Sequence, residues 1–154
     1  MTDARCHRQV DDSGGIQDET ETMKAGIRRH EHDEEYYFKE GCFITELSNS
    51  QDDAQASIAR ARLQTGKTTR WHRLHDTAER YVILEGRGRV EIGDCPPTDV
   101  GIGDVVLIPP GCRQRITSTG SSDLVFLAIC TPRFMHQNYE DIDDDPREGV
   151  TAGE

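Results

Sequence analysis

The chain has 154 residues, which is the size of one domain, and it carries a formal net charge of −11 at pH 7. Such an acidic chain repels phosphate backbones and anionic lipid head groups, so we expect binding to neither nucleic acids nor membrane surfaces. No apolar run approaches the roughly 20 residues that cross a bilayer, and no apolar signal-peptide core follows the first residues, so we expect a cytoplasmic protein.

Composition divides the chain into three parts. Residues 1–40 and 135–154 are rich in Asp and Glu, whereas residues 41–134 hold nearly all the apolar and β-branched runs. We therefore predict an acidic N-terminal extension, a globular part over 41–134 and an acidic C-terminal tail, with both ends poorly structured. The five cysteines are scattered and form no CxxC pair, which argues against a zinc ribbon or a disulfide framework.

From Gly41 onward, short runs of alternating or β-branched residues are separated by turn residues. The predicted strands cover residues 42–47, 57–64, 68–74, 79–86, 88–93, 105–108, 114–117 and 123–130. No amphipathic helix of about ten residues is apparent. The pattern predicts an all-β protein, a single antiparallel sandwich or barrel of the jelly-roll kind.

Alternation in two of these strands indicates side chains for the barrel interior. Arg62 and Gln64 share one face of strand 57–64, and Glu79 and Tyr81 share one face of strand 79–86. If Arg62 points inward, its guanidinium fork could bind a substrate carboxylate or phosphate, with Gln64 and Tyr81 beside it. The alternative is that the arginine-bearing face lies in solvent.

Two segments resemble the paired motifs of the cupin superfamily. The first family motif runs glycine, five residues, histidine, any residue, histidine, three or four residues, glutamate, six residues, glycine. Residues 66–86 match it from Gly66 through His72 and Glu79 to Gly86, but Leu74 stands in place of the second histidine.

The second motif runs glycine, five residues, proline, any residue, glycine, two residues, histidine, three residues, asparagine. Residues 103–118 match its glycines and proline, but Gln114 replaces the histidine and Ser118 the asparagine. The resemblance implies a small single-domain cupin of the conserved-barrel type. It is less specific for function, because cupins host many unrelated activities.

The same resemblance implies a divalent transition metal, Fe, Mn, Ni, Zn or Cu, held inside the barrel by His72, Glu79 and Gln114. His75 becomes a fourth ligand if a β-bulge at residues 73–75 turns it inward, whereas a regular pleat leaves it in solvent. Loss of the metal is the other possibility. A buried Glu79 then needs Arg62 or its own proton as compensation.

These residues predict a metal-dependent enzyme that acts on a small polar metabolite by isomerase, lyase or dioxygenase chemistry, with Glu79 or Tyr81 moving protons. Leu74 in the place of a ligand favours non-oxidative chemistry. The alternative is a barrel that binds a small ligand without turnover. We also expect a homodimer, because the apolar strand 42–47 and the aromatic residues 36–38 form an edge that needs cover.

Overall fold

The computed structural model describes residues 23–30 and 34–144. Its strands are β1 (Tyr36–Phe38), β2 (Cys42–Ser48), β3 (Ser57–Leu63), β4 (His72–Leu74), β5 (Ala78–Glu85), β6 (Arg87–Ile92), β7 (Thr98–Gly101), β8 (Val105–Ile108), β9 (Gln114–Ser118), β10 (Leu124–Thr131) and β11 (Tyr139–Asp141). Single turns of 3-10 helix lie at Gln51–Asp53 and His136–Asn138. No helix in these two ranges has the length and apolar composition that a membrane span requires.

The strands form two antiparallel sheets that face each other. One sheet has the order β1-β2-β3-β10-β5-β8 and the other has the order β11-β4-β9-β6-β7. This arrangement confirms the prediction of an all-β antiparallel jelly-roll barrel. The order also sets the location of the site, since β4 and β9 of one sheet lie opposite β5 and β10 of the other.

The core lies between the sheets and follows the strand alternation. Leu63, Ile83, Ile116 and Phe126 are at most 1% exposed, and they belong to one cluster of buried side chains. Full burial of each such side chain contributes roughly 1.5–3 kcal/mol relative to an exposed one. Ala61, Tyr81 and Phe126 of this cluster also border a cavity, so the apolar core forms the floor of the site.

Gly86 joins β5 to β6 with a φ of +80°, and a Cβ atom there would lie 2.5 Å from the carbonyl oxygen of Asp123. Both the left-handed backbone and the close approach require glycine. The tight turn fixes the register of β5, the strand that carries Glu79 and Tyr81.

The sheets extend beyond the globular range of 41–134 that composition indicates. Strand β1 pairs with β2, and β11 pairs with β4, so the N-terminal and C-terminal sides of the barrel each gain a short strand. Short edge strands carry no long apolar run, and composition therefore does not reveal them. The remainder of the predicted acidic ends, residues 1–22, 31–33 and 145–154, lies outside the described residues.

Candidate functional site

A cavity of about 50 Å³ lies between the two sheets. Its polar lining comprises Glu40, Glu46, Ser57, His72, Glu79 and Cys130. Small side chains on β3 and β10, namely Ala59, Ala61 and Ala128, line the same space. Larger residues at those positions would fill it, so these alanines keep the polar groups accessible to a ligand.

His72 begins β4, is 1% exposed and pairs in register with Gln114 of β9. Its Nδ1 lies 2.7 Å from the carbonyl oxygen of Arg70, and a carbonyl can only accept, so Nδ1 carries a proton. Its Nε2 lies 3.2 Å from Oε2 of Glu40. Nε2 is therefore the ring nitrogen that faces the Glu40 carboxylate inside the cavity.

The imidazole is also held in place by an aromatic ring. The rings of His72 and Tyr139 stack with centroids 5.3 Å apart and an interplanar angle of 22°. Tyr139 belongs to β11, which pairs with β4. The C-terminal strand therefore fixes the orientation of the His72 ring toward Glu40.

Glu79 lies on the inner face of β5 and accepts hydrogen bonds on both oxygens. Nε2 of Gln114 donates to its Oε1 at 2.8 Å, and the thiol of Cys130 donates to its Oε2 at 3.6 Å. Burial raises the pKa of Glu79, and the charge of Glu40 raises it further, while His72 opposes the increase. Glu79 therefore takes up a proton at a higher pH than an exposed glutamate does.

Tyr81, two residues along β5, is 3% exposed and donates a 2.6 Å hydrogen bond to Oε1 of Gln114. Burial raises its pKa well above the ordinary range, as does the charge of Glu79. The phenol therefore stays protonated and acts as a hydrogen-bond donor. Burial likewise raises the pKa of the Cys130 thiol, which keeps it protonated beside Glu79.

The two histidines near β4 have different environments. Leu74 is 3% exposed and lines the cavity, as a regular pleat requires two residues after His72. His75 lies on the outer surface, where its Nε2 contacts Glu140 and its backbone N–H donates to the carbonyl oxygen of Asn138 at 2.8 Å. The bulge that would make His75 a ligand is not formed, and the structure does not bring this residue to the site.

The side chains present do not fit the metal that the sequence predicts. In the described part of the chain, no three His, Cys, Asp or Glu side chains are grouped so that they could hold a metal ion. The Gln114 oxygen accepts from Tyr81, its nitrogen donates to Glu79, and Nε2 of His72 faces Glu40. The donor atoms are thus engaged with one another, and Leu74 supplies none.

Arg62 and Gln64 also lie away from the cavity. The inner face of β3 carries the alanines, so Arg62 projects outward, where its Nε donates to Glu35 at 3.0 Å and its Nη1 to Asp123 at 2.9 Å. Gln64 is exposed. The expectation that these two side chains bind substrate therefore fails on geometry, because their strand face points away from the interior.

Sequence reasoning missed Glu40, Cys42 and Tyr139. Glu40 lies in the turn between β1 and β2, and its Oε1 accepts from the Cys42 thiol at 3.0 Å. Tyr139 falls in the stretch that composition assigns to the C-terminal tail. Glu40 shares the alternation of Cys42 and Ile44, an apolar pattern that could have marked its side of the strand as inward-facing.

Comparison with known proteins gives matches over most of the barrel. Residues 59–130 match the Cupin domain family Cupin_2. The uncharacterized protein MJ1618 of Methanocaldococcus jannaschii is 31% identical over 121 residues, which span 77% of this chain and 96% of that protein.

Solved structures share the same barrel. Pac13, described as a nucleoside dehydratase, superposes with a TM-score of 0.64 at 17% identity, over 78% of this chain and 92% of that chain; the protein is from Streptomyces. KdgF from Halomonas gives a TM-score of 0.62 at 11% identity, over 71% and 96% of the two chains. A predicted oxalate decarboxylase from Thermotoga maritima gives a TM-score of 0.57 at 25% identity, over 65% and 91%.

Proposed function

The chain belongs to the cupin superfamily, and on that basis we propose that it is an enzyme of the lyase or isomerase type that moves protons on a small polar metabolite bound in the barrel. The observation that carries the proposal is the contact of 3.2 Å between Nε2 of His72 and Oε2 of Glu40, in the same cavity as Glu79. This arrangement provides two distinct acid–base groups at one small site.

The roles follow from the environment of each group. Glu79, with its raised pKa, is the base that takes a proton from a carbon of the substrate. His72, with Nδ1 bound to a carbonyl and Nε2 beside Glu40, is the acid that donates a proton from Nε2 to a substrate oxygen. In an elimination, the C–H electron pair forms the double bond and the protonated oxygen leaves as water. In an isomerisation, Glu79 returns its proton to the neighbouring carbon, and the hydroxyl group on the first carbon gives its proton back to Nε2 of His72.

Tyr81 serves this proposal as a positioning residue. Its hydroxyl binds the Gln114 oxygen, which directs the Gln114 nitrogen to Glu79. The donated hydrogen bond favours the carboxylate form of Glu79 and so limits the rise of its pKa. Tyr81 keeps its own proton, since its pKa is raised well above the ordinary range.

The divalent metal implied by the family resemblance is not part of the proposal, because the expected ligand positions hold Leu74 and engaged side chains. Proteins of this fold include a dehydratase, which supports the view that the barrel accommodates elimination chemistry. The alternative from the sequence, a barrel that binds a ligand without turnover, becomes one outcome of the test.

The experiment follows solvent deuterium into a panel of small hydroxy and keto compounds by proton NMR, in the presence and absence of a chelator. We expect exchange or elimination that resists the chelator and falls on the order of 10²-fold or more in Glu79→Gln and His72→Gln. His75→Gln is the matched control and should retain full activity. Activity that vanishes with chelator and returns with metal would refute the metal-free mechanism, and binding without exchange would identify a binding barrel.

The homodimer expected from the sequence remains a proposal. Strand β1 is the edge of its sheet, and Tyr36 and Tyr37 on it are 38% and 64% exposed. An apolar edge of this kind favours contact with a second copy. Sedimentation at tens of micromolar protein should give twice the mass of one chain, and a strict monomer would contradict the expectation.

A further inference from the structure

Acidic groups outnumber basic groups in the lining of the cavity. Three carboxyl groups, those of Glu40, Glu46 and Glu79, line the cavity, together with the imidazole of His72. No arginine or lysine is among the described residues that line it. The one group there that can be cationic, His72, already faces Glu40.

The arginines on the neighbouring strands bind acidic groups outside the cavity. Arg62 of β3 binds Glu35 and Asp123. Arg73 of β4 donates to Glu140 at 2.8 Å. A carboxylate or phosphate that entered the cavity would therefore meet three carboxyl groups, with no arginine or lysine in the described lining to balance its charge, at a site where burial strengthens the repulsion.

The same lining suits ligands that donate hydrogen bonds. The Glu46 carboxylate stands at the exposed rim, where the Tyr36 hydroxyl donates to it at 3.3 Å, and further acceptors are the carboxylates of Glu40 and Glu79 inside. Carboxylates accept hydrogen bonds from hydroxyl groups and pair with ammonium groups. Phe38, Phe134 and Tyr139 supply apolar wall for the carbon skeleton of a ligand.

We propose that the cavity selects a small metabolite without negative charge that donates hydrogen bonds through hydroxyl or ammonium groups, and that it rejects carboxylates and phosphate esters. This names the substrate class of the site and rests on the function proposed above. Compounds of two or three carbon atoms are suitable first probes for this small cavity.

Matched pairs of probes test the charge rule directly. Glycerol is compared with glycerate and ethanolamine with glycolate, at equal concentration and pH 7, by saturation-transfer NMR on the full chain. We expect transfer to glycerol, ethanolamine or both, and at least 10-fold weaker transfer to either acid. Glycerate or glycolate binding as strongly as its partner, or no binding by glycerol and ethanolamine, would overturn the proposal.

Two variants locate the effect in the cavity. Ala128→Leu places a larger side chain on the cavity wall and should abolish the signal while the protein still melts cooperatively; Ala59→Leu repeats the test if the first variant does not fold. Glu46→Arg places a cation at the rim and should raise the transfer to glycerate at least 10-fold. If a folded alanine-to-leucine variant still binds glycerol, the ligand binds outside the cavity and the proposal is contradicted.

The outcomes separate this inference from the proposed function. Selective binding of probes without negative charge, with no deuterium exchange on any substrate, supports the charge rule and contradicts the proposed enzyme. Exchange on a carboxylate substrate, with no preference for probes that lack negative charge, supports the proposed enzyme and contradicts the charge rule.

Discussion

The Tyr81 hydroxyl donates a 2.6 Å hydrogen bond to Oε1 of Gln114, and this bond decides which end of the Gln114 amide faces Glu79. With the oxygen held by Tyr81, the nitrogen donates to Glu79 at 2.8 Å. Without the phenol, the amide is free to turn its oxygen toward the carboxylate. Gln114 of β9 thus links two side chains of β5, because it accepts a hydrogen bond from Tyr81 and donates one to Glu79.

Tyr81→Phe tests whether the hydrogen bond from Tyr81 to Gln114 affects Glu79. The substitution leaves the buried Gln114 oxygen without its donor, so we expect a loss of about 1–3 kcal/mol in the free energy of unfolding. The weaker hold on the amide should raise the pKa of Glu79 and move the pH profile of kcat to higher pH. Denaturant unfolding and a pH–rate profile measure the two effects. Tyr36→Phe, at the rim, is the control, and an unshifted profile in Tyr81→Phe would contradict this effect.

Glu79→Gln should change how stability depends on pH. Burial raises the pKa of Glu79 in the folded protein above its ordinary value of 4.5, so the native state keeps this proton to a higher pH than the unfolded state does. The stabilisation that Glu79 contributes is complete below pH 4.5 and is lost as the pH rises through the pKa of the folded state. The free energy of unfolding falls by about 1.4 kcal/mol for each unit by which the folded pKa exceeds the unfolded pKa. The melting temperature of the variant relative to wild type should therefore increase from pH 4 to pH 8.

Glu35→Gln provides the control of opposite sign for Glu79→Gln. The hydrogen bond from Arg62 lowers the pKa of Glu35, so this carboxylate stabilises the fold above its ordinary pKa and loses that effect in acid. Its substitution should lower the melting temperature near pH 7 and matter less at low pH. Parallel pH responses of the two variants would contradict the burial assigned to Glu79.

The outer ion pair at β4 predicts a separate acid-sensitive contact. The hydrogen bond from Arg73, followed by that from His75, lowers the pKa of Glu140 to about 2. Its contribution to stability is present above the ordinary value of 4.5 and disappears as pH falls toward 2. His75→Gln should raise the Glu140 pKa, measured by carboxyl NMR, and leave ligand binding in the cavity unchanged. Loss of binding would show that His75 reaches the interior.

Restoring the two missing histidines should create a metal site. Leu74 and His72 both face the cavity, so Leu74→His with Gln114→His adds two imidazoles to His72 and Glu79. We expect the double variant to retain Zn²⁺ or Ni²⁺ near one ion per chain after dialysis, measured by elemental analysis, with wild type far below that value. His75→Leu in the same background is the control. Equal metal content in wild type would contradict the geometry of the site.

The motif spacing identified the inward positions of His72, Glu79 and Gln114, because a fixed period of two places such residues on one strand face. It could not show that Arg62 points outward, since an isolated strand has two faces and only the opposite sheet decides which one is buried. Ala59 and Ala61 on the other face were the physical hint, because small apolar residues suit a cavity wall.

Glu40 escaped prediction for a different reason. It comes from a turn before the first predicted strand, and its meeting with His72 depends on contacts between segments that are distant in sequence. The prediction of a bound metal depended on which residues occupy the motif positions and not only on the spacing of those positions. The motif spacing therefore predicted the fold correctly even though Leu74 and Gln114 replace two of the motif histidines.

The hydrogen bonds around Glu79 link groups from both sheets: Gln114 lies on β9, whereas Glu79, Tyr81 and Cys130 lie on β5 and β10. The side chains that connect the two sheets thus include the group proposed to act as the base. Substitutions that alter these hydrogen bonds to obtain a new specificity should therefore lower the thermal stability of the fold. Variant libraries made in a protein that is first stabilised by substitutions on the outer face around Arg62 should therefore contain more active variants than libraries made in the natural sequence.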